Sequence, residues 1–129
     1  MRIALLIPAT LSLALAPPPA RAQQPTPEAR MSLDDFVLDK AELGGRRVAV
    51  AGTIACIGGA DICYLFGAQG FSMNAFASFK ASGLSRDDRK RLLGCDAIMN
   101  KCPVVLHGKA TADKMPFNDI TALTIEWVQ

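Results

Sequence analysis

The sequence predicts a small, mainly β domain of five strands and two helices, and three observations lead there. Apolar and polar residues alternate in several short runs, glycine-rich clusters separate those runs, and a helical period returns only twice.

The 129-residue chain opens with MRIALLIPATLSLALAPPPARA. Arg2 supplies a positive start, residues 3–15 an apolar run, and Ala20-Arg21-Ala22 an A-x-A cleavage signature. Residues 1–22 therefore read as a signal peptide cut between Ala22 and Gln23, which sends the mature chain to the periplasm or the medium. The apolar run is shorter than the roughly 20 residues that span a bilayer and is interrupted by Pro8, so no membrane span is expected after cleavage. Residues 23–30, polar and proline-punctuated, read as a flexible leader, and residues 31–129 as a single domain of ordinary small size.

Charge changes with that cleavage. The full chain has 14 Lys and Arg against 12 Asp and Glu. Arg2 and Arg21 leave with the signal peptide, so the mature chain is nominally neutral and loses the overall basicity that would suggest a nucleic-acid partner.

Element by element, Ser32-Leu-Asp-Asp35 has the form of a capping box, with Asp in place of Glu or Gln at its last position. Leu33, Phe36, Val37 and Ala41 then recur at helical spacing up to Gly44-Gly45. The period changes to two at residues 46–54: Val48, Val50 and Ile54 point one way, Arg47, Ala49, Ala51 and Thr53 the other, with Gly52 placed for a bend. A turn at residues 58–61 leads into a second strand over residues 62–66, and a third covers residues 71–79. SRDDRKRLLG, residues 85–94, is a capped helix with acidic start and basic end. Residues 103–110 and 120–128 complete the strands, with Leu123, Ile125 and Trp127 alternating in the last.

The four cysteines fall as Cys56-x6-Cys63 and Cys95-x6-Cys102. That spacing lacks the close knuckles of a zinc site and the C-x-x-C of a thiol oxidoreductase, so in an exported chain they read as structural disulfides. Joining Cys56 to Cys63 and Cys95 to Cys102 closes two short loops and is the preferred pairing among three.

The order of three antiparallel strands, a helix and two further strands resembles the OB-fold, a five-stranded Greek-key barrel. LGGRRVAVAGTI at residues 43–54 is similar to the opening strand of small OB domains, and VVLHGKA at 104–110 with NDITALTI at 118–125 is similar to their fourth and fifth. With the signal peptide, residues 32–128 look like the small secreted bacterial OB-fold proteins. The resemblance implies an OB-fold-like Greek-key barrel with an N-terminal helix and a helix between strands three and four. It also brings the end of strand one and the starts of strands two and four to one pole, where exchanged cysteine pairing is geometrically open.

OB-folds bind on strands two and three and on the loops joining strands one to two and four to five. Here that surface would hold Tyr64, Phe66, Phe71, Phe76 and Phe79, with Lys114 and Phe117 on the loop at residues 111–119. The competing reading puts those aromatics in the core, because a short chain needs its large side chains to bury area. Arg86, Arg89, Lys90 and Arg91 read as a solvated helix face interleaved with Asp87 and Asp88, and Arg46 and Arg47 as pointing to opposite faces. His107, the sole histidine, has no convergent ligands or nucleophile, and no catalytic, cofactor or metal constellation is visible. The expectation is a non-enzymatic exported module that binds a protein partner or a small ligand. Single-stranded nucleic acid or an oligosaccharide is the alternative by fold analogy, and a thiol or metal role for the four cysteines is another.

Overall fold

The structure, a computed structural model, describes residues 27–59, 61–96, 101–112 and 118–128. The expected signal peptide, its cleavage site at Ala22 and Gln23, and Lys114 and Phe117 lie outside the described residues.

Among the described residues, six strands and two α-helices follow in the order β1 (Ala29–Ser32), α1 (Leu33–Leu43), β2 (Arg47–Ile57), β3 (Ile62–Phe66), β4 (Phe76–Lys80), α2 (Arg86–Leu92), β5 (Cys102–Ala110) and β6 (Ile120–Trp127), with a 3-10 turn at Ala81–Gly83. They form one mixed sheet in the order β1-β2-β3-β4-β6-β5, and a further pairing of β2 with β5 closes β2 to β6 into a ring. The β1–β2 and β4–β6 pairings are parallel and the other four antiparallel.

β2 makes this closure because it is long enough to have three partners. Residues 47–54 pair with β5, while on the opposite edge residues 48–51 pair with β1 and residues 53–57 with β3. Gly52 marks the changeover: a Cβ there would come 2.8 Å from the Phe66 carbonyl oxygen and 3.0 Å from Leu65. The absent side chain lets β3 approach where a bend was expected.

Val48, Val50, Ile54, Leu65, Phe79, Val104, Leu106 and Ile120 meet on the inner side of the ring, all with essentially no exposure. α1 adds Leu33, Phe36 and Leu43 to that core, and α2 adds Leu92. Each helix starts as its sequence dictates. Ser32 Oγ accepts from the Asp35 N–H at 3.2 Å, and Ser85 Oγ from the Asp88 N–H at 3.1 Å, satisfying donors that a helix start leaves unpaired.

Several details differ from the sequence reading. Ala29 and Arg30, assigned to the flexible leader, belong to β1, a sixth strand. Ala41 is exposed, and Leu43 takes its place on the buried stripe of α1. The third predicted strand begins at Phe76, not Phe71. Before it, the Asn74 N–H bonds Ser72 Oγ at 3.2 Å and the Ala75 N–H bonds the Ser72 carbonyl at 3.2 Å, a local turn that competes with a ladder. In β6, Leu123 does not share a face with Ile125 and Trp127. The register with β5 shifts between His107 and Gly108, so Leu123 is the extra residue and turns outward, while Ile120 and Ala122 point in. Gly108 sits at this bulge because a Cβ would strike the Thr121 carbonyl oxygen and the Ile120 side chain.

Candidate functional site

Alternation along β3 and β4 separates the five candidate aromatics. Cys63, Leu65, Ala77 and Phe79 point into the ring, so Phe79 is core. Ile62, Tyr64, Phe66 and Phe76 point outward, as does Lys80. Phe66 is nevertheless buried as part of the core cluster, and Phe71 from the turn after β3 meets it edge-on. Gly70, at φ +100°, closes that turn by donating to the Gly67 carbonyl at 3.1 Å.

This return lays Phe71 against the strand aromatics. Its ring centroid is 6.3 Å from that of Phe66 and 5.6 Å from that of Phe76, and Phe76 in turn lies 5.8 Å from Tyr64. Phe66 is the floor of the cluster. Tyr64 and Phe76 are half-buried, Phe71 is 50% exposed and its neighbour Met73 75% exposed. Ile57, 69% exposed and paired with Ile62, extends the apolar surface to the β2–β3 turn. The face that the sequence reading divided between core and ligand surface is thus both, in two layers.

Both disulfides lie at the end of β2 nearest this face. Cys56 and Cys63 are cross-strand partners with Cα atoms 4.1 Å apart, and Cys95 and Cys102 are joined at 5.7 Å. The Cys56 N–H donates to the Cys95 carbonyl at 3.2 Å, which binds the two bridged segments to each other. No free cysteine remains as a thiolate ligand, and the paired state fits an oxidising compartment. Among the described residues no helix is long and apolar enough to cross a membrane.

The basic residues are sorted by α2. Arg91 turns toward β6 and stacks 4.3 Å from the centre of the Trp127 ring, whose Nε1 donates to Asp88 Oδ1 at 2.9 Å. Arg86, Arg89 and Lys90 share the opposite side and line a cleft of ≈ 380 Å³ with Asp61, Ser82 and Leu93. The sequence suggests a solvated helix face for all four; the structure sets Arg91 apart on Trp127 and leaves Arg86, Arg89 and Lys90 exposed together. Arg46 and Arg47 also line one cleft, with Lys109 and Glu28, at the far end of β2.

His107 bridges two carboxylates on the outer side of β5. Its Nδ1 is 3.0 Å from Glu28 Oε2, just before β1, and its Nε2 is 3.2 Å from Glu126 Oε1 on β6. Arg30 of β1 also reaches Glu126, at 3.9 Å. The Glu28 hydrogen bond is the largest influence on the imidazole. With Glu126 it outweighs the opposing effect of burial and raises the pKa above its ordinary value. The arrangement fastens a strand and contains no nucleophile for the imidazole to activate. Among the described residues no group of three His, Cys, Asp or Glu side chains is placed to hold a metal ion.

Asp119 is a second polar tie, and sequence reasoning missed it inside a loop. Its Oδ2 accepts from the Ser78 N–H at 3.0 Å and from the Ser78 hydroxyl at 3.2 Å, and its Oδ1 accepts from Lys40 Nζ at 3.2 Å. One carboxylate so joins α1, β4 and the approach to β6, and it supplies partners for the buried Ser78.

No family model, curated protein or solved structure matches the chain.

Proposed function

We propose that this chain is an exported, non-enzymatic binding module of the OB-fold type that docks a protein partner on the outer face of β3 and β4. The aromatic cluster carries the reading. A domain of this size needs its large apolar side chains for the core, yet Ile57, Tyr64, Phe71, Met73 and Phe76 remain wholly or partly exposed around one face.

The connectivity supports the fold assignment. Within the ring, β2, β3 and β4 run antiparallel in sequence order, α2 follows, and β5 closes back on β2, as expected of a Greek-key barrel. In an OB-fold β3 and β4 would be the second and third strands, the customary binding surface. Export is supported by the signal-like residues 1–22 and by two disulfides.

Ring geometry favours a protein over stacked bases or sugars. Tyr64 meets Phe76 at 64° and Phe71 meets Phe66 at 75°, and Phe71 is tilted 33° to Phe76, so each ring packs against a neighbouring ring and no two are coplanar platforms for successive bases. Met73 and Ile57 add adaptable aliphatic surface suited to apolar side chains of a partner. A neutral mature chain also lacks the overall charge that drives binding to a polyanion.

Site-specific photo-crosslinking tests the proposal. With the crosslinker at Phe71, a discrete protein adduct is expected in the exported fraction; with it at Leu38, exposed on α1, that adduct is absent. Identical adducts from both positions, or salt-dependent binding to oligonucleotides in place of any protein adduct, would overturn it.

A further inference from the structure

The cleft beside α2 gives the partner a charge. Arg86, Arg89 and Lys90 occupy positions i, i+3 and i+4, which places their cations on one side of the helix. None of the three has an ion-pair partner among the described residues. The acidic residues of α2 do not neutralise them: Asp87 and Asp88 are absent from the cleft lining, and Asp88 Oδ1 accepts from Trp127. Among the described residues, Asp61 is the one carboxylate lining the cleft, beside three cations.

The cleft also continues the aromatic face. The Asp61 carbonyl accepts from the Ala81 N–H at 3.3 Å, next to Ser82 in the cleft wall. The following residue, Ile62, faces Lys80 on one side and Ile57 on the other. Leu93, 65% exposed, adds an apolar contact within the cleft. One surface therefore runs from exposed aromatics through Ile57 and Lys80 to a basic, partly apolar cleft.

Resting on the docking function proposed above, we infer that the partner presents an acidic segment next to its apolar anchor. The anchor lies on Tyr64, Phe71 and Phe76, and the carboxylates lie against Arg86, Arg89 and Lys90. Complementary charge on a neutral chain then comes from a local patch, and it selects and steers the partner.

The far cleft of Arg46, Arg47 and Lys109 provides an internal control. It sits at the opposite end of β2 from Ile57, roughly 30 Å away along an extended strand. One of its walls is Glu28, which is engaged with His107.

The test uses the disulfide-bonded mature chain and fluorescent peptides containing a Glu/Asp run followed by Leu-Phe-Leu. Matched peptides carry Gln/Asn in place of the acids. The acidic peptide is expected to bind at least tenfold more tightly than its amide counterpart and to weaken with added salt. Arg89→Glu with Lys90→Glu should remove that preference, whereas Arg47→Glu should change affinity less than twofold. Equal binding of both peptides, lost on Phe71→Ser, would overturn the acidic segment and leave the docking face standing. Charge-dependent binding indifferent to Phe71→Ser would overturn the docking face instead. No binding of the acidic peptide, or an equal loss with Arg47→Glu, would also overturn the inference.

Discussion

His107 connects three separate stretches of chain through one ring, so its protonation is coupled to how firmly β1 is held. The neighbouring charges are Glu28 and Arg30 from the N-terminal side, Glu126 from β6, Lys109 on its own strand and Arg47 on β2. The folded-state pKa lies above the ordinary 6.5. The proton is therefore bound more tightly in the folded state. Its stabilisation is fully present below the unfolded value and is lost as pH rises through the folded one. His107→Gln is expected to destabilise the domain by about 0.5–1 kcal/mol near pH 6, and by less near pH 8.5, in urea unfolding. An equal loss at both pH values would contradict a charged clamp. Little of this was legible in the sequence, because Glu28, His107 and Glu126 acquire their relation only when β1 and β6 flank β5 and β2. Asp119 escaped for the same reason: a loop aspartate looks solvated until Ser78 is seen beneath it.

The elements were legible where local chemistry decides them. Serine caps, the Val48–Val50 alternation and the turn glycines placed both helices and most strand ends. Elements failed where a partner decides: β1 has four residues with no strand-like composition and exists by pairing with β2, and the Leu123 bulge follows from the register with β5. The preferred cysteine pairing agrees with the structure, since each bridge spans a sequence separation of 7. By loop-closure entropy each bridge should contribute about 2–3 kcal/mol. Cys56→Ser with Cys63→Ser, and Cys95→Ser with Cys102→Ser, should each lower unfolding free energy by about that amount. Thiol titration of the unreduced, denatured protein should find no free thiol; four would contradict the bridged state.

At the scale of the molecule, one long strand organises both stability and surface. β2 closes the ring, passes its edge from β1 to β3 at Gly52, and ends among the two disulfides. Its first half is fastened by the His107 clamp, and its second half leads to the aromatic face and the α2 cleft. The sequence named the aromatics of that face but not their two layers, because Phe66 joins the core while Phe71 reaches it from a turn and not from a strand. Arg86, Arg89 and Lys90 were equally visible in the sequence, yet their shared cleft depends on where Asp61 and Ser82 arrive. The most direct measurement is the affinity of the crosslinked partner for the mature chain and for Tyr64→Ala, Phe71→Ala and Phe76→Ala, with thermal unfolding run alongside. Central aromatic anchors should cost more than about 1 kcal/mol each, so at least one variant that stays folded should bind roughly tenfold more weakly. Affinity within twofold of the parent for all three folded variants would contradict a docking role for this face.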